Sequence, residues 1–267
     1  MQFEGKTVVV TGGASGIGAA ITAQFAALGA KTCVLDVVHC ETSDVGPHLS
    51  LMCDVSDEMA LKDALSVVYL KLGSIDIFVS NAGVLGSMEG SEGIGADTDW
   101  ARCWSVNVMA HVYAARALVP DMVKRGSGHF VTIASAAGLL NQIGDVPYSA
   151  TKHAAVSFAE SLAITYRPSG VNVTLVCPQY VATPLIGLTE ADATDVDTLL
   201  TADDIAVATL EAIAEGRFLV LPHPEVQRFA QSRARDHDKW IKGMSDLRAR
   251  AVDTFGDARP ERFYRLL

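Results

Sequence analysis

The stretch Lys6-Thr7-Val8-Val9-Val10-Thr11-Gly12-Gly13-Ala14-Ser15-Gly16-Ile17-Gly18 decides the fold of this chain. Its first part is β-branched and predicts a buried strand that runs directly into glycines. Glycines after a strand allow a tight turn and a close backbone approach, and a helix that begins at Gly16 would present amide donors to an anion. The stretch therefore predicts a phosphate-binding loop, with an ordinary glycine-rich turn as the alternative.

Apolar runs and helical periodicity alternate along the rest of the chain. The predicted strands are Lys6–Thr11, Lys31–Asp36, Leu49–Asp54, Ile75–Ser80, Gly128–Ser135, Val171–Pro178 and Phe218–Leu221. The predicted helices are Gly16–Leu28, Asp57–Leu72, Asp99–Lys124, Pro147–Tyr166 and Ala202–Glu215. Strands that are apolar on both faces and alternate with helices indicate an α/β fold, with a seven-stranded parallel sheet and helices on both faces.

No Pro- or Ser-rich linker divides the sequence and no internal repeat is visible, so the sequence predicts a single domain over residues 1–267. Residues 183–201 follow a strand end and predict a substrate lid. Residues 223–267 predict a helical tail with an apolar stripe formed by Trp240, Met244, Leu247, Ala251 and Phe255. This stripe could pack on its own domain, contact another subunit or cover the substrate pocket.

Composition narrows the class of protein. Hydrophobic residues make up 49% of the chain and charged residues 19%, with a formal net charge of −10, so no broad basic face for nucleic acid or a membrane surface is expected. The cysteines show no CxxC spacing and the histidines no paired spacing, so no metal site is predicted. Without a visible signal peptide or an apolar run long enough to span a bilayer, the expectation is a cytoplasmic enzyme.

Three residues indicate proton chemistry. Tyr148 and Lys152 are four residues apart and would share one face of a helix, where the cation can stabilise a phenolate. Ser135 closes a predicted strand, so its hydroxyl should emerge at the carboxyl edge of the sheet near a substrate oxygen. The alternatives are a solvated Tyr–Lys pair and a serine that only caps a turn.

Asp36 ends the second predicted strand, eighteen residues after Gly18. A carboxylate at this position can accept hydrogen bonds from both ribose hydroxyls of an adenosine. A 2′-phosphate would meet a like charge there, and neither Ser15 nor the stretch Val37-Val38-His39 supplies a strong cation. The sequence therefore favours NAD over NADP, unless Asp36 only caps a turn.

Taken in order, these motifs resemble the short-chain dehydrogenase/reductase family over roughly the first 220 residues. The matching motifs are Thr11-Gly12-x-x-x-Gly16-x-Gly18, Asp54-Val55, Asn81-Ala82-Gly83, Asn107, Ser135, Tyr148-x-x-x-Lys152, Pro178 and Thr183-Pro184. The resemblance implies a Rossmann-like, doubly wound fold and an alcohol or ketone substrate. It also implies a homo-oligomer, commonly a tetramer, built on the helices Asp99–Lys124 and Pro147–Tyr166.

The resemblance also assigns roles to residues. Tyr148 would exchange the proton, Ser135 would hold the substrate oxygen, and Lys152 would assist the phenol and hold the nicotinamide ribose. Asn107 would hold a water that connects the lysine to solvent. The implied cofactor-binding residues are Gly12, Ser15, Gly16, Ile17, Gly18, Asp36, Asp54, Val55, Asn81, Ala82, Gly83, Tyr148, Lys152, Pro178, Val181 and Thr183.

One departure from the family pattern concerns the substrate side. The family usually has a glycine after the proline of the sixth strand, whereas here Pro178 is followed by Gln179 and Tyr180. The expected substrate pocket comprises Val84, Leu85, Gln142, Ile143, Gln179 and Tyr180. Its apolar members predict a hydrophobic, alicyclic or aromatic secondary alcohol or ketone rather than a highly charged molecule.

Two other functions compete with an NAD-dependent alcohol dehydrogenase. An NADPH-dependent 3-ketoacyl-carrier reductase would need a basic patch for its acidic carrier, and the acidic composition offers no clear one. A non-catalytic dinucleotide sensor would need the glycine loop but not the proton chemistry, whereas Ser135, Tyr148 and Lys152 are all present.

Overall fold

A computed structural model describes residues 3–43, 46–86, 94–194 and 198–266. The strands are β1 Thr7–Thr11, β2 Lys31–Asp36, β3 Leu49–Met52, β4 Ile77–Ser80, β5 Gly128–Ile133, β6 Val171–Val176, β7 Tyr180–Val181, β8 Leu199–Leu200 and β9 Leu219–Val220. The α-helices are α1 Gly16–Ala27, α2 Glu58–Leu72, α3 Asp97–Trp104, α4 Ala110–Arg125, α5 Ala137–Leu140, α6 Val146–Tyr166, α7 Ala202–Glu215, α8 Pro224–Arg235 and α9 His237–Phe255.

Seven strands form one sheet in the order β3-β2-β1-β4-β5-β6-β9, and every neighbouring pair is parallel. Apolar side chains of α2, α4 and α6 bury one face of this sheet, and those of α1 and α7 bury the other. The predicted Rossmann-like α/β fold is confirmed. Its strands read as apolar runs because both faces of the sheet are covered.

The strand order reverses beside β1, which pairs with β2 on one side and β4 on the other. In an open α/β sheet, a crevice forms where the connections from two adjacent strands leave in opposite directions. The glycine loop follows β1 and Asn81 follows β4, so both lie at this crevice. Sheet topology therefore places the predicted phosphate loop at the expected ligand site.

Several predicted strands extend beyond the observed ones by one or two residues. β4 begins at Ile77 rather than Ile75, β5 ends at Ile133 rather than Ser135, and β6 ends at Val176 rather than Pro178. At the carboxyl ends of β5 and β6 the sequence stays apolar because the chain runs on into the buried loops of the site, whereas Ile75 is buried in the core before β4 begins. The short elements α5, β7 and β8 escaped prediction because two to four residues carry no measurable periodicity.

The predicted helix Asp99–Lys124 begins two residues earlier and contains a π-helical turn over Ser105–Met109, between α3 and α4. A π turn takes one residue more per turn than an α-helix and often marks a functional position. Apolar periodicity does not reveal such a turn. Asn107 lies at its centre and is fully buried.

The tail consists of α8 and α9, separated at Asp236, whose carboxylate caps α9 by accepting from the Lys239 amide at 2.9 Å. Trp240 packs against Phe229 with ring centroids 6.4 Å apart. Further along the stripe, Leu247 joins a cluster with Tyr180. The apolar stripe of the tail is thus covered by the protein's own chain. In the part of the chain that the structure describes, no helix has the length and apolar character needed to cross a membrane.

The proposed lid, residues 183–201, borders the site. It includes the 3-10 turn Pro184–Ile186 and strand β8, while positions 195–197 lie outside the described residues. Leu185 and Ile186 line a large cavity at the carboxyl ends of the strands. That this segment closes over a substrate stays a prediction.

Buried neutral histidines predict acid-dependent stability. Burial lowers the pKa of His111 to about 3 and that of His129 to about 4, and it also lowers the pKa of His223. The unfolded chain takes up protons first as the pH falls below about 6.5, so the free energy of unfolding should decrease between pH 6.5 and 4. Each histidine contributes up to about 1.4 kcal/mol per pH unit. Urea unfolding at pH 7, 6 and 5, followed by tryptophan fluorescence, measures this slope.

His129 provides the control because it lies away from the candidate site. Its ring contacts Thr174, with 2.8 Å between Nε2 and Oγ1, and it does not line the large cavity at the carboxyl ends of the strands. His129→Gln should make the pH dependence shallower by the contribution of one proton, even where it lowers stability at pH 7. A raised pKa of Asp145 acts in the opposite direction, because that carboxyl favours its neutral form. A flat stability profile between pH 6.5 and 5 would contradict this account.

Candidate active site

The glycine loop is held by close packing against the loop after β4. Gly12 has φ +63°, and a Cβ there would lie 2.8 Å from the Ala82 Cα, so a side chain is excluded. The side-chain amide of Asn81 donates through Nδ2 to the carbonyls of Thr11 at 2.9 Å and Gly12 at 3.0 Å. Gly18 packs behind the loop against the Gly12 carbonyl. Asn81 and Gly18 therefore hold the loop in shape.

Helix α1 offers its first turn to the cavity. Ser15 precedes the helix in an extended conformation, and its side chain makes no capping hydrogen bond. Gly16 has φ +52°, and a Cβ there would lie 3.2 Å from Thr183 Cγ2, so Thr183 packs over the start of the helix. Amide donors at a helix N-terminus that lack a side-chain cap suit an anionic group such as a pyrophosphate.

Asp36 caps the turns around it and also faces the cavity, where it could accept hydrogen bonds from a ribose. Its Oδ2 accepts from the Ala14 amide at 3.0 Å and its Oδ1 from the Val38 amide at 3.1 Å, so it does brace the turns around it. It also lines the cavity, as do Asp54 and Val55. The Asp36 carboxylate thus keeps acceptor capacity toward the cavity while its backbone partners fix its position.

A cavity of about 480 Å³ lies along the carboxyl ends of the strands. Most of the predicted site residues line it: Gly12, Ser15, Gly16, Ile17, Asp36, Asp54, Val55, Asn81, Ala82, Gly83, Val84, Leu85, Ser135, Gln142, Tyr148, Lys152, Pro178, Gln179, Tyr180, Val181 and Thr183. Gly18, Asn107 and Ile143 do not line it. Open helix amides, the Asp36 carboxylate and the predicted proton-transfer residues surround one cavity, and this arrangement fits a dinucleotide.

Ser135, Tyr148 and Lys152 meet on one side of this cavity. Ser135 follows β5, and its Oγ accepts from the Ala137 amide at 3.1 Å, which fixes the hydroxyl at the strand end. The Lys152 Nζ donates to the Ile133 carbonyl at 3.3 Å and lies 5.5 Å from the centroid of the Tyr148 ring. Tyr148 is only 9% exposed and Lys152 only 3%. The sequence spacing thus yields a compact, buried group.

Burial sets the proton affinities of this group in the protein alone. It raises the pKa of Tyr148 to about 12, and a hydrogen bond with Ser135 only partly offsets this effect. Burial also lowers the pKa of Lys152 to about 8. The sequence predicts a lowered pKa for Tyr148 when Lys152 and an oxidised nicotinamide lie beside it, whereas the chain without a cofactor raises this pKa. The reason is that the lysine lies under the ring rather than at the hydroxyl, and desolvation outweighs the distant charge.

Asn107 acts as a clamp through its side chain. Its Oδ1 accepts from the Val84 amide at 2.9 Å, and its Nδ2 donates to the Val84 carbonyl at 2.9 Å and to Thr151 Oγ1 at 3.1 Å. These bonds join the loop after β4 to α6, which carries Tyr148 and Lys152. These bonds use both Nδ2 hydrogens and one lone pair of Oδ1, and a role for Asn107 in a proton relay stays a prediction.

Asp145 is a site residue that sequence reasoning missed. It caps α6 by accepting from the Tyr148 amide at 3.0 Å, and it accepts from the Gly86 amide at 2.8 Å. Burial raises the pKa of this carboxyl. The signal was present in the sequence, because Asp145-Val146-Pro147 has a capping residue and an early proline at the start of a helix.

His223 is a second residue that sequence reasoning missed. It holds the backbone of Gln179 and Tyr180, the two positions at which the chain departs from the family pattern after Pro178. Its Nδ1 accepts from the Gln179 amide at 3.1 Å, and its Nε2 lies 2.9 Å from the Tyr180 carbonyl, to which it can donate. This pattern fits a neutral ring, in agreement with the lowered pKa caused by burial. A lone histidine in sequence gives no such indication, because its partners lie 43 and 44 residues away.

A second cavity, of about 310 Å³, also borders Ser135. It shares Ser135, Gln142, Gln179 and Tyr180 with the first cavity, and Ile143 lines this one instead. Its remaining walls come from the region of α5, from α8 and α9, and from Phe263. The two cavities therefore adjoin at Ser135, which lines the larger one together with Tyr148 and Lys152.

Sequence comparison finds related proteins. The family model described as short chain dehydrogenase matches residues 6–193. The 1-deoxy-11-beta-hydroxypentalenate dehydrogenase of Streptomyces exfoliatus is 32% identical over 252 residues, with 90% of each chain covered. The D-beta-hydroxybutyrate dehydrogenase of Rhizobium meliloti is 34% identical over 191 residues, with 68% of this chain and 73% of the relative covered.

Structure comparison agrees. A short-chain dehydrogenase/reductase from Burkholderia phymatum in complex with NAD superposes with a TM-score of 0.77 at 30% identity, covering 89% of this chain and 96% of that one. The 3-ketoacyl-(acyl-carrier-protein) reductase of Brucella melitensis, complexed with NADH, gives a TM-score of 0.73 at 26% identity, covering 83% and 98%. Both similarities extend over most of the chain.

Proposed function

The chain belongs to the short-chain dehydrogenase/reductase family of oxidoreductases, and on that premise we propose that it interconverts a secondary alcohol and a ketone with NAD. The observation that carries this proposal is that Ser135, Tyr148 and Lys152 line the larger cavity together and that Ser135 also lines the smaller one. The larger cavity would hold the dinucleotide and the smaller one the substrate. Bound NAD would supply the hydride acceptor for alcohol oxidation.

The residues of the chain would manage the oxygen and its proton. The Ser135 hydroxyl, fixed by the Ala137 amide, would hold the substrate oxygen. Tyr148 would take the alcohol proton as phenolate or return it as phenol in ketone reduction. Lys152 is buried beside the ring and would favour the charged form of the phenol once other groups fill the site. Asp145 would keep this part of α6 in place.

The preference for NAD rests on Asp36. Its carboxylate lines the larger cavity and is held by the Ala14 and Val38 amides. A ribose with free hydroxyls would find an acceptor there, and a 2′-phosphate would find a like charge. The Burkholderia and Brucella structures hold NAD and NADH, which supports the same choice for this chain.

The substrate would be hydrophobic and cyclic. The smaller cavity has mostly apolar walls, including Trp240, Met244, Leu247 and Phe263, and its volume of about 310 Å³ suits a compact ligand. The Streptomyces relative is named for a hydroxylated substrate, which agrees with an alcohol. The Brucella structure keeps an acyl-carrier reductase as a second candidate, although the smaller cavity, with α9 as one wall, has a volume that suits a compact ligand better than a long acyl chain.

We further propose that the enzyme is a cytoplasmic homo-oligomer, a tetramer by family resemblance. The large apolar side chains Trp104 and Ile164 are exposed on α3 and α6, which gives these helices apolar surface for a second copy. All five cysteines are free in the structure, as a reducing compartment requires.

The test of the reaction is absorbance at 340 nm with purified protein, cyclic and aromatic secondary alcohols, and either NAD or NADP. We expect reduction of NAD with a clear preference for one alcohol class. Turnover with NADP alone would contradict the assignment of Asp36. Binding of NADH without turnover of any alcohol or ketone would favour a dinucleotide sensor instead.

A further inference from the structure

The substrate cavity carries two cations and no carboxylate among the described residues that line it. Lys239 and Arg250 lie at its border, and the other walls are apolar or uncharged. The chain as a whole has 31 acidic and 21 basic residues, so a wall with only positive charge departs from the average surface. Such a local reversal of sign favours an anionic ligand.

Neither cation is neutralised within the described structure. The side chains of Lys239 and Arg250 have no described ion pair or hydrogen bond, whereas Lys242 on the same helix pairs with Asp246 at 2.7 Å. Arg248 likewise has no ion pair or hydrogen bond among the described residues, but it does not line the cavity. Arg250 therefore differs from Arg248 in position rather than in chemistry, which makes the two a matched pair.

Helix geometry separates the two cations along the pocket. Residues 239, 243, 247 and 250 are spaced by three or four and share one face of α9, which borders the cavity. Eleven residues of helix correspond to a rise of about 16 Å, so one carboxylate can reach only one of the two cations. Arg250 presents a planar pair of donors that matches a carboxylate, whereas Lys239 is a point charge.

A third polar group lies between the two cavities. The Gln179 backbone is fixed by His223, but the buried Oε1 of its side chain has no hydrogen-bond partner in the described structure. A buried amide oxygen without a partner costs free energy unless a ligand donates to it. Gln179 borders both cavities beside Ser135, so its amide can contact a polar group near the reacting carbon.

We propose that the pocket binds a hydrophobic cyclic hydroxy acid, with its carboxylate at Arg250, its apolar ring against Trp240, Met244 and Leu247, and its hydroxyl at Ser135 and Tyr148. This inference rests on the proposed alcohol oxidation and specifies its substrate class. The sequence predicts a hydrophobic substrate rather than a highly charged one. The proposed substrate agrees with an apolar body and adds one anionic group that anchors it.

The test compares each acid with its uncharged ester. The probes are 3-hydroxycyclohexanecarboxylate, a hydroxydecalin carboxylate, and the methyl ester of each, with NAD as cofactor. We expect kcat/KM to be about tenfold higher for at least one acid than for its ester, and Arg250→Met to remove that advantage chiefly through KM. Arg248→Met removes the same charge from the same helix and should leave both substrates unchanged. Higher salt should reduce the advantage, because the guanidinium is exposed.

A binding measurement separates failure of the inference from failure of the proposed reaction. The ketones 3-oxocyclohexanecarboxylate and its methyl ester are titrated into the protein with NADH, followed by tryptophan and NADH fluorescence. Tighter binding of the acid that is lost in Arg250→Met would support the anion site even if no alcohol were oxidised. Equal or better use of the esters, equal loss for acid and ester in Arg250→Met, or no binding of either ketone would overturn the inference.

Discussion

Tyr148→Phe is expected to lower kcat for alcohol oxidation by about a thousandfold while NADH binds with nearly unchanged affinity. The substitution removes only the hydroxyl, and the ring keeps its place against Lys152. The main-chain bond from residue 148 to Asp145 at 3.0 Å does not depend on the side chain, so α6 should stay capped. Initial rates at 340 nm and NADH fluorescence titration measure the two effects.

Tyr166→Phe is the control for this experiment. Tyr166 ends the same helix, packs against the main core and does not line the cavity. Removing its hydroxyl should leave kcat within about twofold of the native value. If Tyr148→Phe retained a tenth or more of the native kcat, Tyr148 could not be the principal proton acceptor.

The pH profile should follow from the buried phenol. Burial raises the pKa of Tyr148 to about 12, so the phenolate that oxidation needs becomes more abundant as the pH rises. Alcohol oxidation should therefore accelerate from pH 7 to pH 8, where Lys152, whose pKa is lowered to about 8, keeps at least half of its charge, while ketone reduction, which uses the neutral phenol, should not. The bound cofactor shifts the midpoint but not the sign of this difference. An oxidation rate independent of pH over this range, with chemistry rate-limiting, would contradict the role of the phenol.

Asp36→Asn is expected to reduce the preference for NAD over NADP by about a hundredfold. Two unit charges about 5 Å apart interact by about 3 kcal/mol at an effective dielectric constant of 20, which is more than two powers of ten in affinity. The asparagine keeps one side-chain oxygen for the Ala14 or Val38 amide, so much of the local turn is preserved. The measured quantity is the ratio of kcat/KM with NAD to that with NADP.

Glu41→Gln provides a charge-matched control in the loop that follows β2. Glu41 is exposed and does not line the cavity, so its loss of charge should change both cofactors equally. The native enzyme is expected to favour NAD by at least a hundredfold under the same conditions. A ratio that does not respond to Asp36→Asn would show that another group selects the cofactor.

The sequence could predict the sheet and the reacting group because both follow from local rules. Apolar runs that alternate with helices specify a covered parallel sheet, and the glycines after β1 specify a loop that only small residues can form. Ser135 at a strand end and Tyr148 with Lys152 on one helix face then meet, because parallel strands deliver their carboxyl ends to one edge of the sheet.

The contacts of Asn107 and the pocket wall could not be predicted in this way. A π turn brings the Asn107 side chain to the Val84 backbone, and apolar periodicity contains no sign of it. His223 orients Gln179 across 44 residues of chain. Such contacts arise only when distant segments pack together, so a local pattern cannot encode them.

By itself, the sequence determined the fold and predicted the phosphate loop and the proton-transfer residues, since each depends on residue type and spacing within one or two elements. Only the tertiary structure decided that burial raises the pKa of Tyr148, that Asn107 clamps a loop, and that α9 borders the smaller cavity with an Arg250 that has no partner among the described residues. The desolvation of a phenol, the hydrogen bonds of a buried amide and the net charge of the residues that line a cavity all depend on which distant groups surround a side chain. Those groups come together only through tertiary packing.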